Sequence, residues 1–277
     1  MSFARNPMIQ KELRQRLRER RAWVLPTLYI LLLSSVILFA YSEESGQQGT
    51  PNAVQGWQMG VGIFLALIFT QAIVLLLMAP VFSAGGITIE KEQRTFASLM
   101  TTLLTPGEIW WGKFVSSLLY LLLLLSCSLP LLALSFAFGG VEPKEVLQAM
   151  GYTILSLGTV CSLGLLCSAL FRRSVHSTAA AYAIVLILTV VTTVLFFYLQ
   201  ERWRREPHDW SNADTYGPIH IQGPLLINPI YPLLTLTGNE GKAEFPFVVS
   251  SCLLIGAMLL LASAFTMWLL KRSGEHV

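Results

Sequence analysis

Six long blocks of apolar residues, nearly free of charge, recur along this sequence of 277 residues. A helix needs about twenty such residues to cross roughly 30 Å of hydrocarbon, and each block supplies them. The blocks are continuously apolar rather than alternating, so each must satisfy its backbone hydrogen bonds internally, as a helix does. The sequence therefore predicts an all-α integral membrane protein with six transmembrane helices, at residues 23–41, 59–84, 109–138, 147–170, 179–199 and 247–270.

Composition favours a single membrane domain over residues 1–277 and argues against an enzyme. Only 13% of the residues are charged and 54% are apolar, whereas soluble domains are about a quarter charged. The sequence contains no GxxxxGK[ST] phosphate loop, HExxH metal helix or GxSxG nucleophile turn. The four cysteines fall inside the predicted spans and form no CxxC pair. We expect no catalytic residue, cofactor, metal site or nucleic-acid partner.

The distribution of Lys and Arg predicts the orientation, because these residues accumulate on the cytoplasmic side. The leader, residues 1–22, is rich in arginine, and residues 42–58 contain no basic residue. Basic residues return in the loop 85–107 and after the fourth and sixth spans. Three arginines at residues 202–205 run against this pattern. The pattern as a whole places both termini in the cytoplasm.

Two segments outside the spans have a helical apolar period. In the leader, Ile9, Leu13 and Leu17 recur every four residues, which predicts an amphipathic helix on the membrane surface. A plain basic flank that only sets topology is the alternative. In the loop 85–107 the apolar stripe consists of Phe96, Leu99, Met100 and Leu103.

A new helix is expected directly after this loop. Thr105 is a suitable N-cap, Pro106 fits the first helical position, and Glu108 is placed to complete a capping box. The external loop, residues 200–246, contains a proline-rich apolar stretch at residues 224–236 that is too short to span. We predict that this stretch forms a re-entrant or interfacial element before the last helix.

The spans carry no charged residue deep in the membrane, which disfavours a proton-coupled carrier. Gln71 is the main strongly polar residue there; it either lines a translocation path or bonds to a neighbouring helix. Pro130 is expected to kink the third span. Gly158, Gly164 and Ser168 give the fourth span a small-residue surface for close packing.

The loop and the leader resemble the ABC-2 type permeases, the membrane subunits of one class of ABC transporters. The resemblance rests on Glu90-Lys91-Glu92-Gln93-Arg94-Thr95, then Thr101-Thr102, Pro106, Glu108-Ile109 and Gly112-Lys113, together with Asn6-Pro7 and Lys11-Glu12-Leu13-Arg14. Arg94 stands where the family usually has glycine, and Leu103 where it often has proline.

The resemblance implies a permease subunit of an ATP-driven transporter, most often an exporter, in a bacterial or archaeal inner membrane. It implies that the loop 85–107 contains a coupling helix that docks on a separate ABC ATPase. It also implies a second permease subunit, identical or related, and contact with membrane lipid. The residues that it assigns to ATPase coupling are Glu90, Glu92, Arg94, Thr95, Phe96, Leu99 and Met100.

Two other classes of function remain open on the sequence. A non-transporting membrane scaffold or accessory subunit would use the same fold to anchor partners. An ion-coupled carrier or channel would need no ATPase. A neighbouring ATPase with Walker motifs favours the transporter permease.

Overall fold

The computed structural model of the chain describes residues 21–45, 53–95, 105–139, 141–205, 223–230, 232–235 and 245–274. Within these ranges the regular elements are helices and no strand is present. Six helical stretches are long and apolar enough to cross a membrane, so the prediction of six spans is confirmed. The amphipathic leader, with Ile9, Leu13 and Leu17, lies outside the described residues.

Ten α-helices are described, because two of the six spans are each divided into two helices and two short helices lie between spans. In chain order they are α1 (Arg21–Ser45), α2 (Ala53–Ser83), α3 (Thr88–Glu92), α4 (Pro106–Cys127), α5 (Leu129–Phe138), α6 (Pro143–Leu170), α7 (Ser174–Leu186), α8 (Thr192–Arg205), α9 (Pro232–Thr235) and α10 (Phe245–Gly274). A π-helical turn, Ile187–Val191, joins α7 to α8, and a 3-10 turn, Gly223–Ile227, precedes α9.

The fourth span, α6, lies at the centre of the bundle and packs against α2, α4, α7 and α10. It is the most buried span, and α1 is the most exposed. Close packing depends on its small residues, as predicted. A Cβ at Gly164 would lie 2.0 Å from the Ser83 Oγ, and a Cβ at Gly158 would lie 3.0 Å from Leu259. Gly164 therefore allows α2 to pack closely against α6, and Gly158 allows the same for α10.

The third span is interrupted where proline was expected to disturb it. Helix α4 ends at Cys127 and α5 begins at Leu129, with Ser128 between them. Pro130 has no N–H to donate, and its ring crowds the preceding turn. The Ser128 hydroxyl donates to the Leu125 carbonyl at 2.7 Å. The helix is thus interrupted for one residue, at Ser128, two residues before the proline that was expected to kink the span.

The start of the third span also follows the sequence prediction. The Thr105 N–H donates to Glu108 Oε2 at 2.8 Å, and the Glu108 N–H donates to the Thr105 hydroxyl at 3.3 Å, which completes a capping box. Helix α6 begins four residues earlier than predicted, at Pro143. There the Glu142 N–H donates to the Glu145 carboxylate at 3.2 Å, and this second box extends the helix past its apolar block.

The predicted re-entrant stretch packs on the helices through buried side chains. Leu225 and Leu233 are each 1% exposed, and the segment contacts α10, α8 and α2. Asn228 holds it in place, donating through Nδ2 to the Thr192 and Thr193 hydroxyls at 2.9 Å each. Its depth in the membrane stays a prediction. The π-helical turn beside Asn228 was not foreseen from the sequence.

Candidate functional site

Residues 84–95 are the described first part of the connection from the second span to the third, and they lie at one end of the bundle. The connection from α6 to α7 lies at the same end, since the two are hydrogen-bonded to each other. The last turns of α10 reach it too, because a Cβ at Gly107 would lie 3.8 Å from the Met267 Sδ. We call it the basic end; its basic residues are Lys91, Arg94, Lys113, Arg172, Arg173, Lys271 and Arg272.

Helix α3 ends in a Schellman motif. The Thr95 N–H donates to the Glu90 carbonyl at 3.0 Å, and the Arg94 N–H donates to the Lys91 carbonyl at 3.2 Å. Arg94 takes the left-handed position of this motif, with a φ of 57°. That conformation favours glycine, which has no Cβ to crowd the backbone.

The start of α3 is capped by a residue 80 positions later in the chain. Ile87, the N-cap residue, supplies no side-chain hydrogen bond of its own. Instead the Ser168 hydroxyl accepts from the Ile87 N–H at 2.8 Å and from the Thr88 N–H at 2.9 Å. Ser168 and Thr88 are fully buried. These two amides would otherwise be unsatisfied in the protein interior.

Glu90 forms an ion pair with the third span. The Lys113 Nζ donates to Glu90 Oε1 at 2.8 Å and to the Gly86 carbonyl at 2.6 Å. The Lys113 side chain is 2% exposed and the Glu90 side chain 23%. A lysine buried to this degree needs a partner, because desolvation disfavours its charge. Glu90 therefore fixes α3 to α4.

Lys91 caps the end of the fourth span. Its Nζ donates to the carbonyls of Ser168 at 3.2 Å, of Phe171 at 3.3 Å and of Ala169. Ser168 and Ala169 lie in the last turn of α6 and Phe171 is its C-cap residue, so no further helical N–H is available to these carbonyls. A positive charge also suits the negative end of the helix dipole.

Glu92 caps the start of the fifth span. Its Oε1 accepts from the Ser174 N–H at 2.7 Å and from the Ser174 hydroxyl at 3.0 Å. Arg173, the N-cap residue of α7, makes no side-chain cap. A carboxylate suits the positive end of that helix dipole. Further along, the Ser177 hydroxyl donates to the Ala84 carbonyl at 2.8 Å.

The residues expected to couple to an ATPase thus differ in their contacts and in their exposure. Glu90 and Glu92 have partners inside the chain, whereas Arg94 and Thr95 are exposed. Phe96, Leu99 and Met100 lie outside the described residues. The sequence predicted only topology roles for Lys91 and Lys113 and a packing role for Ser168, and it predicted no role for Ser174. No local pattern reveals contacts between residues so far apart in the chain.

Gln71 is enclosed by the protein. Its side chain is fully buried, and neither amide atom has a hydrogen-bond partner within the described part of the chain. The predicted hydrogen bond to a neighbouring helix is therefore not formed among these residues. A role in a path stays a prediction for a conformation that opens this face of α2.

Metal binding finds no support in the described ranges, where no cluster of three His, Cys, Asp or Glu side chains occurs. None of the four cysteines forms a disulfide bond within the described residues. Of these, Cys161 and Cys167 are buried in the core of the bundle. They act as small packing residues of the central span.

The comparison with known families identifies the chain. A family model described as ABC-2 family transporter protein matches residues 7–217. That range includes the first five spans and the whole of the basic-end connection between α2 and α4. No curated protein matches the sequence. With its six membrane-spanning stretches, the chain belongs to the ABC-2 transporter family and is a membrane permease of the kind that typically works with an ABC ATPase.

Proposed function

We propose that this permease is the membrane subunit of an ATP-driven exporter and that a separate ABC ATPase docks on the loop 85–107. One observation carries the proposal: three consecutive residues of this loop each hold a different membrane-spanning helix. A loop tied in this way can deliver a push from outside the membrane to several spans at once. The basic end then faces the cytoplasm, in agreement with the positive-inside rule.

The geometry divides the proposed coupling residues into two groups. Arg94 and Thr95 are exposed beyond the end of α3 and are available to a partner. Phe96, Leu99 and Met100 would supply the apolar face of the docking helix, as their spacing predicts. Glu90 and Glu92 support the docking segment from within the chain.

A second permease subunit, identical or related, would complete the translocation path. The spans expose broad apolar surfaces, on α1 and along α7 and α8 in particular. A lipidic or amphipathic substrate suits a path lined by such residues, because it needs no buried charge to accompany it. Export follows from the resemblance and is part of the proposal.

The first test is purification of the tagged chain in mild detergent from its native membrane, followed by assay of vanadate-sensitive ATP hydrolysis. Arg94→Glu reverses an exposed charge at the proposed docking surface, and Lys144→Glu makes the same change at the opposite end of α6. We expect Arg94→Glu to lower the co-purifying ATPase activity about tenfold and Lys144→Glu to leave it unchanged.

The outcomes separate the functions. Equal ATPase activity with both variants moves the docking surface away from Arg94. No ATPase with the unmodified chain contradicts the transporter proposal and favours a membrane scaffold. Transport that stops with ionophores and continues after ATP depletion favours an ion-coupled carrier.

A further inference from the structure

The charged residues of α3 act as helix caps supplied from outside the capped helices. Lys91 places a positive charge on the carbonyl end of α6, and Glu92 places a negative charge on the N–H end of α7. Both signs match the dipoles of the helices that they cap. Neither helix end has a side-chain cap of its own in the α6–α7 connection, where Arg173 makes none.

A short helix suits this arrangement because successive side chains point in directions about 100° apart. Glu90, Lys91 and Glu92 therefore spread over more than half of the circumference of α3. Each meets a different neighbour: α4 through Lys113, the end of α6, and the start of α7. A strand at this place would direct alternate residues to opposite sides and could not reach three helices in consecutive positions.

We propose that Lys91 and Glu92 are positioning residues that lock the α6–α7 connection to α3, so that motion of the loop 85–107 moves the fourth and fifth spans together. This inference rests on the proposed function, since the motion comes from the ATPase. The α6–α7 connection, residues 171–173, then needs no ATPase contact of its own. It receives the motion through the two caps.

Buried hydrogen bonds also hold residues 84–88 against α6 and α7. Ser168 of α6 and Ser177 of α7 are fully buried, and their hydroxyls bind the backbone of residues 84–88. The caps add charged hydrogen bonds at the rim of this buried contact, and such bonds are about twice as strong as neutral ones. Loss of the caps leaves the buried contact in place. Variants at Lys91 and Glu92 are therefore expected to fold.

The first experiment measures amide hydrogen exchange in the purified full-length chain. Glu92→Ala removes the cap of α7, and we expect exchange of the amides in its first turn, residues 174–178, to become about fivefold to tenfold faster. Glu92→Gln keeps an oxygen acceptor and should restore much of the protection. Exchange in α1 and α10 should not change, which serves as the control for folding.

The second experiment measures coupling in the complex with its co-purified ATPase. Spin labels at the exposed positions Gln93 and Val175 report the distance between the docking segment and the fifth span. In the otherwise unmodified chain we expect this distance to be the same without nucleotide and after trapping with ATP and vanadate. Lys91→Met and Glu92→Ala should broaden the distribution of distances in the trapped state. Lys91→Arg keeps the positive charge and should give the narrow distribution of the unmodified chain.

Lys144→Met is the matched control, because it makes the same change at an exposed lysine in the first turn of α6, at the other end. If the ATPase is present and active and the distance distribution is unchanged in Lys91→Met and Glu92→Ala, the proposal that these residues lock the α6–α7 connection to α3 is wrong. Absence of any ATPase contradicts the proposed function alone, and the exchange experiment still tests the caps. Unchanged exchange in Glu92→Ala overturns the inference on structural grounds.

Discussion

Ser168 has two roles that neither its own helix nor its neighbours in sequence reveal. Its hydroxyl accepts two buried amide hydrogens from the start of α3, and its carbonyl accepts from Lys91. The sequence marked it only as a small residue on the fourth span. The second role became visible when the fold brought residues 87 and 88 against it.

Replacement of Ser168 by alanine is expected to destabilise the protein strongly. It leaves the Ile87 and Thr88 amides buried without an acceptor, at a cost of about 1–3 kcal/mol for each unsatisfied group. Thermal unfolding in detergent measures the loss. Ser162→Ala is the control, because the Ser162 hydroxyl, also fully buried, donates back to the Thr159 carbonyl of its own helix. Equal midpoints for the two variants would contradict this assignment.

Replacement of Arg94 by glycine is expected to make the protein more stable. A residue other than glycine at a φ of 57° carries a strain of about 1–2 kcal/mol. Glycine removes the strain and adds some freedom to the unfolded chain, so Arg94→Gly is expected to raise stability by about 0.5–1 kcal/mol. Gln93→Gly, at a φ of −78°, should instead lower it. A lower unfolding midpoint for Arg94→Gly would show that its side chain stabilises the fold.

At the scale of the elements, the fourth span determines how the bundle packs. Its polar and small residues face inward, so that α2 and α10 approach closely on different sides. Hydroxyls of this helix also bind backbone carbonyls elsewhere: Tyr152 donates to Asn228 at 2.8 Å and Ser156 to Pro229 at 3.3 Å. Its last turn thus holds the basic-end connection, and residues nearer its middle hold the segment before the last span.

Two glycines of α6 provide a matched test of this packing. A Cβ at Gly164 would lie 2.0 Å from the Ser83 Oγ and 2.9 Å from its Cβ, so rotation of the serine hydroxyl cannot relieve the clash. Gly164→Ala is expected to cost about 1–3 kcal/mol through overpacking. Gly151 has open space around the same added atom, and Gly151→Ala should be neutral or slightly stabilising. Detergent unfolding midpoints compare the two.

At the scale of the whole molecule, the basic end predicts the orientation in the membrane, because Lys and Arg accumulate on the cytoplasmic side. Lys144 and Val175 lie at exposed positions near opposite ends of the bundle, where a cysteine can be introduced. We expect a membrane-impermeant maleimide added to intact cells to label Lys144→Cys, and Val175→Cys only after the membrane is permeabilised. The unmodified chain measures background labelling of the native cysteines. Labelling of Val175→Cys in intact cells would invert the proposed topology.

The sequence alone determined the fold class, the six spans, the break near Pro130 and the capping box at Thr105 and Glu108. These features are local: a span needs only length and apolar composition, and a cap needs residues three positions apart. The resemblance on residues 90–113 also identified the family, which the family comparison confirmed.

Only the tertiary structure decided what Glu90, Lys91 and Glu92 do. A run of three charges in a loop reads as solvated surface, because its partners Lys113, Ser168 and Ser174 lie 23 to 82 residues away. The π-helical turn beside Asn228 belongs to the same class, since it depends on contacts across the fold. Apolar length specifies that a helix exists, whereas its capping and its neighbours depend on which helix ends the bundle brings together.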